Sequence, residues 1–319
     1  MKALRVENGS VDVAEVPIPD AGDEALVRVI MSGICNTDLE IARGYAGFEG
    51  TIGHEFVGFV ESAQDAPHLT GKRVVGEINA GCGKCNLCIS GDSRHCPDRT
   101  VLGILGRDGA HAEYLTLPAR NLIPVPDEVD DHSAVFAEPL AAALGMSERV
   151  NIERGTRVAV VGDGKLGLLC ALTTRLLSGS VTLIGKHRSK MDIAGRQDIV
   201  TVELDDIGRL SRRFDVVIEA SGSESGFKTA LDLVMPRGSI VLKSTFHGDM
   251  RFTSSRVVVD ELSIVGSRCG RLAPAVDLLA SNRVKVDDMI SDEFSLGSGV
   301  AAFERAGMAG VLKVLLKPQ

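Results

Sequence analysis

The first part of the chain alternates hydrophobic and polar residues in short runs. Residues 25–30 (Ala-Leu-Val-Arg-Val-Ile) and 73–78 (Arg-Val-Val-Gly-Glu-Ile) follow this two-residue period and are bounded by Gly, Pro and Asp. Such runs are typical of half-buried strands that are separated by turns. The pattern therefore predicts that residues 1–125 are rich in β-structure.

From about residue 134 the pattern changes to strands that alternate with helices. Residues 134–146 are rich in Ala and Leu and predict a helix. Strand alternating with helix indicates a parallel sheet with crossover helices. After about residue 269 the pattern is mixed, and it ends in a predicted strand at 311–317. Short apolar runs, each followed by a helical or loop segment, lie at residues 157–161, 181–184, 215–219, 240–243 and 263–265.

Length and charge limit the classes of protein to which this chain can belong. The 319 residues suggest two domains, each of about 150 residues. A net charge of −8 and an aromatic content of 4% favour neither nucleic acid nor an anionic membrane as a partner. No apolar run approaches the ~20 residues of a membrane span, and the N-terminus alternates like a strand rather than a signal peptide. We therefore expect a cytoplasmic protein that acts on a small molecule.

A glycine-rich motif follows the predicted strand at 157–161. Gly162, Gly164 and Gly167 form a GxGxxG pattern that Lys165 and Leu166 complete, and a helix is predicted directly behind it. The first glycine permits the tight turn, the second lets the backbone approach a pyrophosphate, and the third allows close packing of helix and strand. The free N–H groups of the helix N-terminus suit phosphates. The motif predicts a dinucleotide site; a glycine-rich turn without a ligand is the alternative.

The end of the next predicted strand bears on the choice of dinucleotide. An NAD site usually has Asp or Glu there to hold the ribose 2′-hydroxyl. Here a glycine is followed by Lys186, His187 and Arg188, and we place the next carboxylate at Asp192, too far along. Cationic side chains suit a 2′-phosphate, which a carboxylate would repel. We therefore favour NADP over NAD; a solvated basic turn is the alternative.

Four of the seven cysteines are clustered in one short segment. In a cytosolic protein such clustering indicates metal binding rather than disulfides. Four thiolates can complete a tetrahedral shell around zinc and leave no open position, so the predicted role is structural. An iron–sulfur cluster is the competing interpretation. The four residues follow the spacing C-x2-C-x2-C-x7-C and are Cys82, Cys85, Cys88 and Cys96.

Several motifs together resemble the zinc-containing medium-chain dehydrogenase family. They are Gly-Ile-Cys-Asn-Thr-Asp at 33–38, Gly-His-Glu-Phe-Val-Gly at 53–58, the cysteine cluster, Glu-Pro-Leu at 138–140 and the later GxGxxG. Their order and spacing match the family over nearly the whole chain. The Glu-Pro-Leu variant resembles the polyol, threonine and sugar dehydrogenase branch. Without the resemblance, a lone Cys is usually a small core residue, and spacing alone would not bring these residues together.

The resemblance implies a catalytic zinc site. In the family pattern Cys35 and His54 are zinc ligands, and Glu55 is a ligand or a close neighbour. Glu138 takes the remaining protein position, directly or through water. The four clustered cysteines match the structural zinc lobe. The implied cofactors are therefore one catalytic zinc, one structural zinc and a nicotinamide dinucleotide.

The same resemblance implies roles for nearby polar residues. Asp38 accepts a hydrogen bond from His54 and fixes its ring, as carboxylates beside metal ligands do. Thr37 hydrogen-bonds the substrate oxygen and begins a proton relay. Lys313 is expected against the cofactor phosphates; a solvated lysine on a strand is the alternative. One departure is Asn36, where the family commonly has Gly.

The expected architecture has a doubly wound Rossmann sheet inserted in a β-rich, partly open, GroES-like catalytic domain. We assign 1–140 and 269–319 to the catalytic domain and 141–268 to the Rossmann domain. Members of the family that the chain resembles commonly form dimers or tetramers. This property and the predicted strand at 263–265 favour a homodimer or homotetramer. The expected function is a zinc-dependent alcohol dehydrogenase that transfers hydride between NAD(P) and a hydroxyl or carbonyl compound. The alternatives are a non-catalytic NADP-binding redox sensor and a zinc-independent double-bond reductase.

The remaining cysteines and three of the histidines are interpreted as packing residues. Cys170 lies on the predicted helix behind the glycine motif, and Cys269 follows the last strand of the same region. His111 and His132 receive the same interpretation. For His247, which follows a predicted strand end, contact with cofactor or substrate is the alternative.

Overall fold

The computed structural model describes residues 1–245 and 251–318. Contacts between residues divide the chain into two compact units. The first unit combines both chain ends, Met1–Glu138 and Leu272–Gln319, and the second is Pro139–Arg271. His247 lies outside the described residues.

Strands occur along the whole of the described chain. They are β1 (Lys2–Glu7), β2 (Ser10–Glu15), β3 (Ala25–Ile34), β4 (Gly50–Thr51), β5 (Glu55–Ala63), β6 (Arg73–Gly76), β7 (Asn79–Ala80), β8 (Thr100–Val101), β9 (Tyr114–Leu117), β10 (Leu122–Pro124), β11 (Arg157–Val161), β12 (Ser180–Gly185), β13 (Val200–Glu203), β14 (Phe214–Glu219), β15 (Val234–Leu242), β16 (Ser263–Gly266), β17 (Ile290–Ser295) and β18 (Lys313–Lys317).

The α-helices are concentrated in the second half of the chain. They are α1 (Asn36–Ala42), α2 (Asn86–Ile89), α3 (Asp131–Ala134), α4 (Ala137–Leu144), α5 (Lys165–Leu177), α6 (Arg188–Gly195), α7 (Glu224–Leu233), α8 (Ser254–Val259), α9 (Leu272–Ala280) and α10 (Gly299–Ala306). In the part of the chain that the structure describes, we find no helix whose length and apolar character would let it cross a membrane.

The second unit is built on one parallel sheet. Its six strands lie in the order β13-β12-β11-β14-β15-β16, and each neighbouring pair is parallel. This order places β11 at the point where the winding reverses, which is where doubly wound sheets bind their ligands. The strands are apolar because both faces are covered, as the full burial of Ala159 and Val217 illustrates.

The first unit is dominated by antiparallel strands. Its largest sheet has the order β10-β6-β5-β3-β18-β17, with β9 also paired to β3. Strand β18, at the end of the chain, pairs antiparallel with β3 and brings Leu315 opposite Gly33. The two ends of the chain therefore meet in one sheet. Strands β2, β1 and β4 form a second sheet, and β7 pairs with β8.

The strands and helices predicted from the sequence are found in the structure, but several differ from the prediction in length. Strands β3 and β15 extend beyond the predicted segments, and the alternating run at 73–78 ends as a strand at Gly76. The helix predicted at 134–146 is confirmed in type but begins later, since α4 spans Ala137–Leu144 and α3 ends at Ala134. A continuous helix would need an N–H at Pro139, whose ring would also clash with the carbonyl of Val135. Within α4, Pro139 occupies the first turn, where its missing N–H has no partner to lose.

Candidate active site and cofactor site

The first polar cluster begins where strand β3 passes into helix α1. Cys35 is the residue before the helix, and Asp38 lies in its first turn. The Asp38 carboxylate accepts the backbone N–H of Cys35 at 2.7 Å and that of Gly53 at 3.2 Å. Asp38 thus ties the start of α1 to the segment that carries His54. Thr37 projects from the same turn, and its Oγ1 lies 3.7 Å from the Cys35 Sγ.

Asp38 lies between two buried imidazole rings. Its Oδ1 is 3.3 Å from His54 Nδ1, and its Oδ2 is 3.5 Å from His111 Nε2. These are ion-pair distances, although neither ring nitrogen meets hydrogen-bond geometry. Burial raises the pKa of Asp38, but the charge and close approach of the His54 and His111 rings outweigh it and hold that pKa well below the usual range. Asp38 is therefore a carboxylate, and with Nδ1 of His54 facing it, Nε2 is the nitrogen available to a metal.

His111 was interpreted as a packing residue, and it is fully buried. Its two ring nitrogens also face polar groups. His111 Nδ1 lies 2.8 Å from the hydroxyl oxygen of Ser32, and Nε2 faces Asp38. The row Ser32–His111–Asp38–His54 extends from the sheet to the candidate metal ligand. Only the position of His111 in the fold reveals this role, since nothing in its local sequence does.

Glu55 and Lys313 form a buried ion pair in the same unit. Glu55 begins strand β5 and Lys313 begins strand β18. The Lys313 ammonium donates to Glu55 Oε2, and each side chain is 1% exposed. The ammonium also lies 5.5 Å from the centre of the Phe136 ring. Burial lowers the pKa of Lys313, but the Glu55 and Cys35 charges outweigh it and raise that pKa above the ordinary value.

The structure gives Lys313 a carboxylate as its partner. The sequence analysis placed this lysine against the cofactor phosphates, whereas the structure places its ammonium on a buried carboxylate. Contact with the cofactor phosphates stays a prediction, and the buried position of the ammonium is what the structure adds. The reason is topological, because the pairing of β18 with β3 carries Lys313 into the interior of the sheet.

Cys35, His54 and Glu55 converge as a donor set. One ligand atom from each lies within 4.8 Å of the others. One thiolate, one imidazole and one carboxylate are ligands that zinc accepts in catalytic sites, and three protein ligands leave a position open. The residues present therefore fit a catalytic zinc ion. Glu138 is outside this group of three, and burial raises its pKa to about 7.

The four clustered cysteines also converge. Cys82, Cys85, Cys88 and Cys96 have sulfur atoms within 4.8 Å of one another. Cys85 Sγ and Cys96 Sγ are 3.7 Å apart, which matches the edge of about 3.8 Å of a tetrahedron with zinc–sulfur bonds of about 2.3 Å. Backbone N–H groups of Lys84 and Cys85 lower the pKa of Cys82 to about 6, whereas burial raises the pKa of Cys88 to about 11. A bound cation would favour the thiolate form of all four cysteines. The loop is therefore suited to hold four thiolates around one ion.

The glycine-rich motif lies between β11 and α5 in the second unit. Gly162 has a φ of +119°, and Gly164 is the residue before the helix. A Cβ at Gly167 would lie 1.9 Å from the Gly162 carbonyl oxygen, whereas a Cβ at Gly164 would meet nothing within 4 Å. Lys165 and Leu166 occupy the first turn of α5 and are partly exposed. The loop therefore leaves open space in front of the helix N-terminus, as a pyrophosphate requires.

The end of β12 carries the expected basic turn, and one acidic residue that the sequence analysis missed. Lys186, His187 and Arg188 are exposed. Asp163, inside the glycine motif, accepts the backbone N–H groups of Lys186 and His187 at 2.8 and 2.6 Å. Arg188 also pairs with Asp192 at 3.1 Å. Asp163 lies in the loop after β11 rather than on β12, so the residues that follow the end of β12 in sequence do not indicate it.

Comparisons with known proteins agree with this geometry. A family model for the alcohol dehydrogenase GroES-like domain matches residues 21–127, and one for zinc-binding dehydrogenases matches residues 167–281. A sorbitol dehydrogenase from Halalkalibacterium halodurans is 30% identical, and the match spans 100% of this chain and 99% of that protein. The predicted fold class, a Rossmann domain combined with a GroES-like domain, is confirmed.

Solved structures show the same relationship. A Sinorhizobium meliloti protein described as a zinc-binding dehydrogenase bound to NADP is 30% identical, with a TM-score of 0.90 and 99% coverage of both chains. An Escherichia coli CFT073 alcohol dehydrogenase complexed with NADH is 25% identical, with a TM-score of 0.92 and 99% coverage of both chains. The chain therefore belongs to the zinc-dependent medium-chain alcohol dehydrogenase family, oxidoreductases that act on CH–OH groups with a nicotinamide dinucleotide.

Proposed function

We propose that this protein interconverts a secondary alcohol of a polyol or sugar-like compound and its carbonyl form, with NADP as the preferred dinucleotide. One observation carries the proposal: the donor atoms of Cys35, His54 and Glu55 lie within 4.8 Å of one another. This set holds the catalytic zinc, with Glu138 as the further carboxylate. A second, structural zinc belongs to the four clustered cysteines.

The residues around the catalytic site have distinct tasks. When bound, zinc acts as a Lewis acid on the alcohol oxygen. Asp38, ionised and buried, holds the His54 ring in one orientation. Thr37, with its Oγ1 3.7 Å from Cys35 Sγ, accepts the proton of the substrate hydroxyl while donating its own towards water. Positioning of the substrate carbon against the dinucleotide completes the requirement for hydride transfer.

Two features support NADP as the preferred dinucleotide. Lys186, His187 and Arg188 are exposed at the end of β12, where the 2′-phosphate of NADP binds in Rossmann domains. The S. meliloti relative was solved with NADP. The carboxylate of Asp163 points into this turn and accepts its N–H groups, so it leaves the cationic side chains on the outside.

We further propose that the protein is a cytoplasmic homo-oligomer. Strand β16 is at the edge of the sheet in the described part of the chain, where β15 is its one neighbour. Val258 and Val259, on α8 directly before this edge, are 74% and 79% exposed. Two adjacent exposed valines beside an open strand favour association with a second copy. A non-catalytic redox sensor is not favoured, since both candidate zinc donor sets are complete.

The test separates catalysis from cofactor binding. Cys35→Ser and His54→Ala variants are compared with the unchanged protein in turnover of polyols and in NADPH binding. We expect turnover to fall at least about 100-fold, because truncation of a metal ligand removes the Lewis acid. NADPH affinity is expected to stay within about twofold, since these residues contribute nothing to the dinucleotide loop. Full turnover in either variant contradicts the zinc assignment.

A further inference from the structure

The carboxyl end of strand β12 has no side chain of its own. It ends in Gly185, one residue before the basic turn that carries Lys186, His187 and Arg188. A Cβ at Gly185 would lie 2.6 Å from both the Cβ and the Oδ2 of Asp163. The Asp163 side chain therefore fills the space that a side chain at the strand end would occupy. Glycine at this position is what allows that arrangement.

The carboxylate of Asp163 accepts hydrogen bonds from the basic turn. Its Oδ2 accepts the backbone N–H of Lys186 at 2.8 Å and of His187 at 2.6 Å. The His187 ring lies 3.0 Å from the same oxygen through Nδ1. Three donors from two consecutive residues thus converge on one carboxylate. This network links the glycine-rich loop after β11 directly to the turn after β12.

The charge distribution follows from this network. Asp163 is buried, whereas residues 186–189 are exposed. Burial raises the pKa of Asp163, but the hydrogen bonds from His187 and Lys186 outweigh it and lower that pKa below 3.8. Asp163 is therefore a carboxylate at neutral pH, directed inward and matched by N–H donors. The outward face of the turn presents cationic side chains.

We propose that Asp163 is a positioning residue for cofactor choice: it holds the turn at residues 185–188 so that its cationic side chains meet the 2′-phosphate of NADP. The inference rests on the NADP preference proposed above. Asp163 does not itself contact the phosphate. It acts through the turn, and Gly185 is required with it.

The first test measures binding rather than activity. Dissociation constants for NADPH and NADH are determined by fluorescence titration for the unchanged protein and for Asp163→Asn. The amide oxygen has two lone pairs and no negative charge, so it cannot accept all three donors that converge on Oδ2, and the turn loosens. We expect NADPH affinity to fall about tenfold, the factor for loss of one hydrogen bond to a charged group. NADH affinity is expected to change by at most about twofold, because NADH makes no use of the cationic face.

Asp215→Asn serves as the matched control. Asp215 also accepts a backbone N–H and side-chain donors, from Arg157 at 2.8 and 2.9 Å. It is the second residue of strand β14, at the opposite end of the sheet from the glycine-rich loop. The control variant is expected to keep the ratio of NADPH affinity to NADH affinity that the unchanged protein has. A fall in that ratio for both variants would mean a general loss of structure and would overturn the specific role of Asp163.

A second variant tests the space that Asp163 occupies. Gly185→Ala places a methyl group where the carboxylate now lies, so we expect the same loss of NADPH preference. In an Asp163→Gly background the methyl group has room, because the Cβ and the carboxylate that it would meet are both gone, and Gly185→Ala should then change the ratio of NADPH affinity to NADH affinity little. Such non-additivity indicates direct coupling of the two residues. Additive effects, or a normal ratio in Gly185→Ala, would overturn the proposal even if Asp163→Asn does not fold.

The two proposals fail in different ways. The NADPH-to-NADH ratio of the unchanged protein tests the NADP preference, whereas the change in that ratio on Asp163→Asn tests the role of Asp163. An unchanged ratio, or tighter NADPH binding in the variant, overturns the role of Asp163. Tighter binding would mean that the carboxylate repels the phosphate. Weakened NADH binding with unaltered NADPH binding would likewise overturn it, because Asp163 would then hold the ribose hydroxyls itself.

Discussion

At the scale of single residues, the buried pair of Glu55 and Lys313 is under the strongest constraint. Both side chains are 1% exposed, and Glu55 is also a candidate metal ligand. Removing a charge from water is costly, and a close partner offsets that cost only while both partners are present. Lys313 therefore compensates the carboxylate in the protein interior.

Removal of Lys313 should leave Glu55 uncompensated. We expect Lys313→Met to lower the free energy of unfolding by about 3–5 kcal/mol, measured by urea denaturation of zinc-free protein, in which Lys313 is the cation that compensates Glu55. The double variant Glu55→Gln/Lys313→Met removes both charges and should recover at least about half of the loss. A Lys313→Met variant as stable as the unchanged protein would show that the carboxylate does not depend on this lysine.

At the scale of elements, the turn between β11 and α5 separates two uses of glycine. A Cβ at Gly167 would collide with the Gly162 carbonyl oxygen at 1.9 Å, whereas a Cβ at Gly164 would meet open space. Gly164→Ala should therefore fold with unchanged stability and lose NADPH affinity at least about tenfold, because the methyl group takes the place of the pyrophosphate.

Gly167→Ala should behave differently. The methyl group must displace the loop itself, so we expect both the melting temperature and NADPH affinity to fall. Thermal unfolding and fluorescence titration on the two variants check the contrast. Equal stability losses in both, or full NADPH binding in Gly164→Ala, would contradict this account of the loop.

The loop of four cysteines forms a second separable element. Zinc analysis should find two ions per chain in the unchanged protein and about one in Cys88→Ser, because a four-thiolate site that loses a ligand binds zinc much more weakly. Cys170→Ala is the matched control, since Cys170 is a buried cysteine on α5 outside both donor sets. Two ions retained in Cys88→Ser would contradict the assignment of the loop.

Helices and strands could be predicted from the sequence where a local pattern of hydrophobic and polar residues determines them. The parallel strands from β11 to β16 are short apolar runs, and all were located from sequence except β13, whose residues Val200–Glu203 alternate weakly beside polar segments. The donor sets were also located, the cysteine loop from spacing and the Cys35 set from family resemblance. The partner of Lys313 and the contacts of Asp163 depend on strands brought together by the fold. The residues next to Lys313 and Asp163 in the sequence do not predict such contacts.

At the scale of the whole molecule, the chemistry divides between the two units. The candidate zinc donors belong to the unit of Met1–Glu138 and Leu272–Gln319, and the glycine-rich loop belongs to Pro139–Arg271. The first unit depends on the last strand of the chain, because Lys313 and Glu55 are 258 residues apart in sequence. The catalytic unit is therefore complete only when both chain ends have folded together.

The central claim, zinc-dependent hydride transfer between an alcohol and a nicotinamide dinucleotide, is tested most directly by one assay. Zinc-loaded protein is supplied with NADP or NAD and a panel of polyols, aldoses, threonine and simple alcohols, and dinucleotide reduction is followed by absorbance. We predict turnover of at least one polyol or sugar-like alcohol, faster with NADP, that disappears when a chelator removes zinc and returns when zinc is restored. Turnover that persists in the fully zinc-free protein would contradict the account.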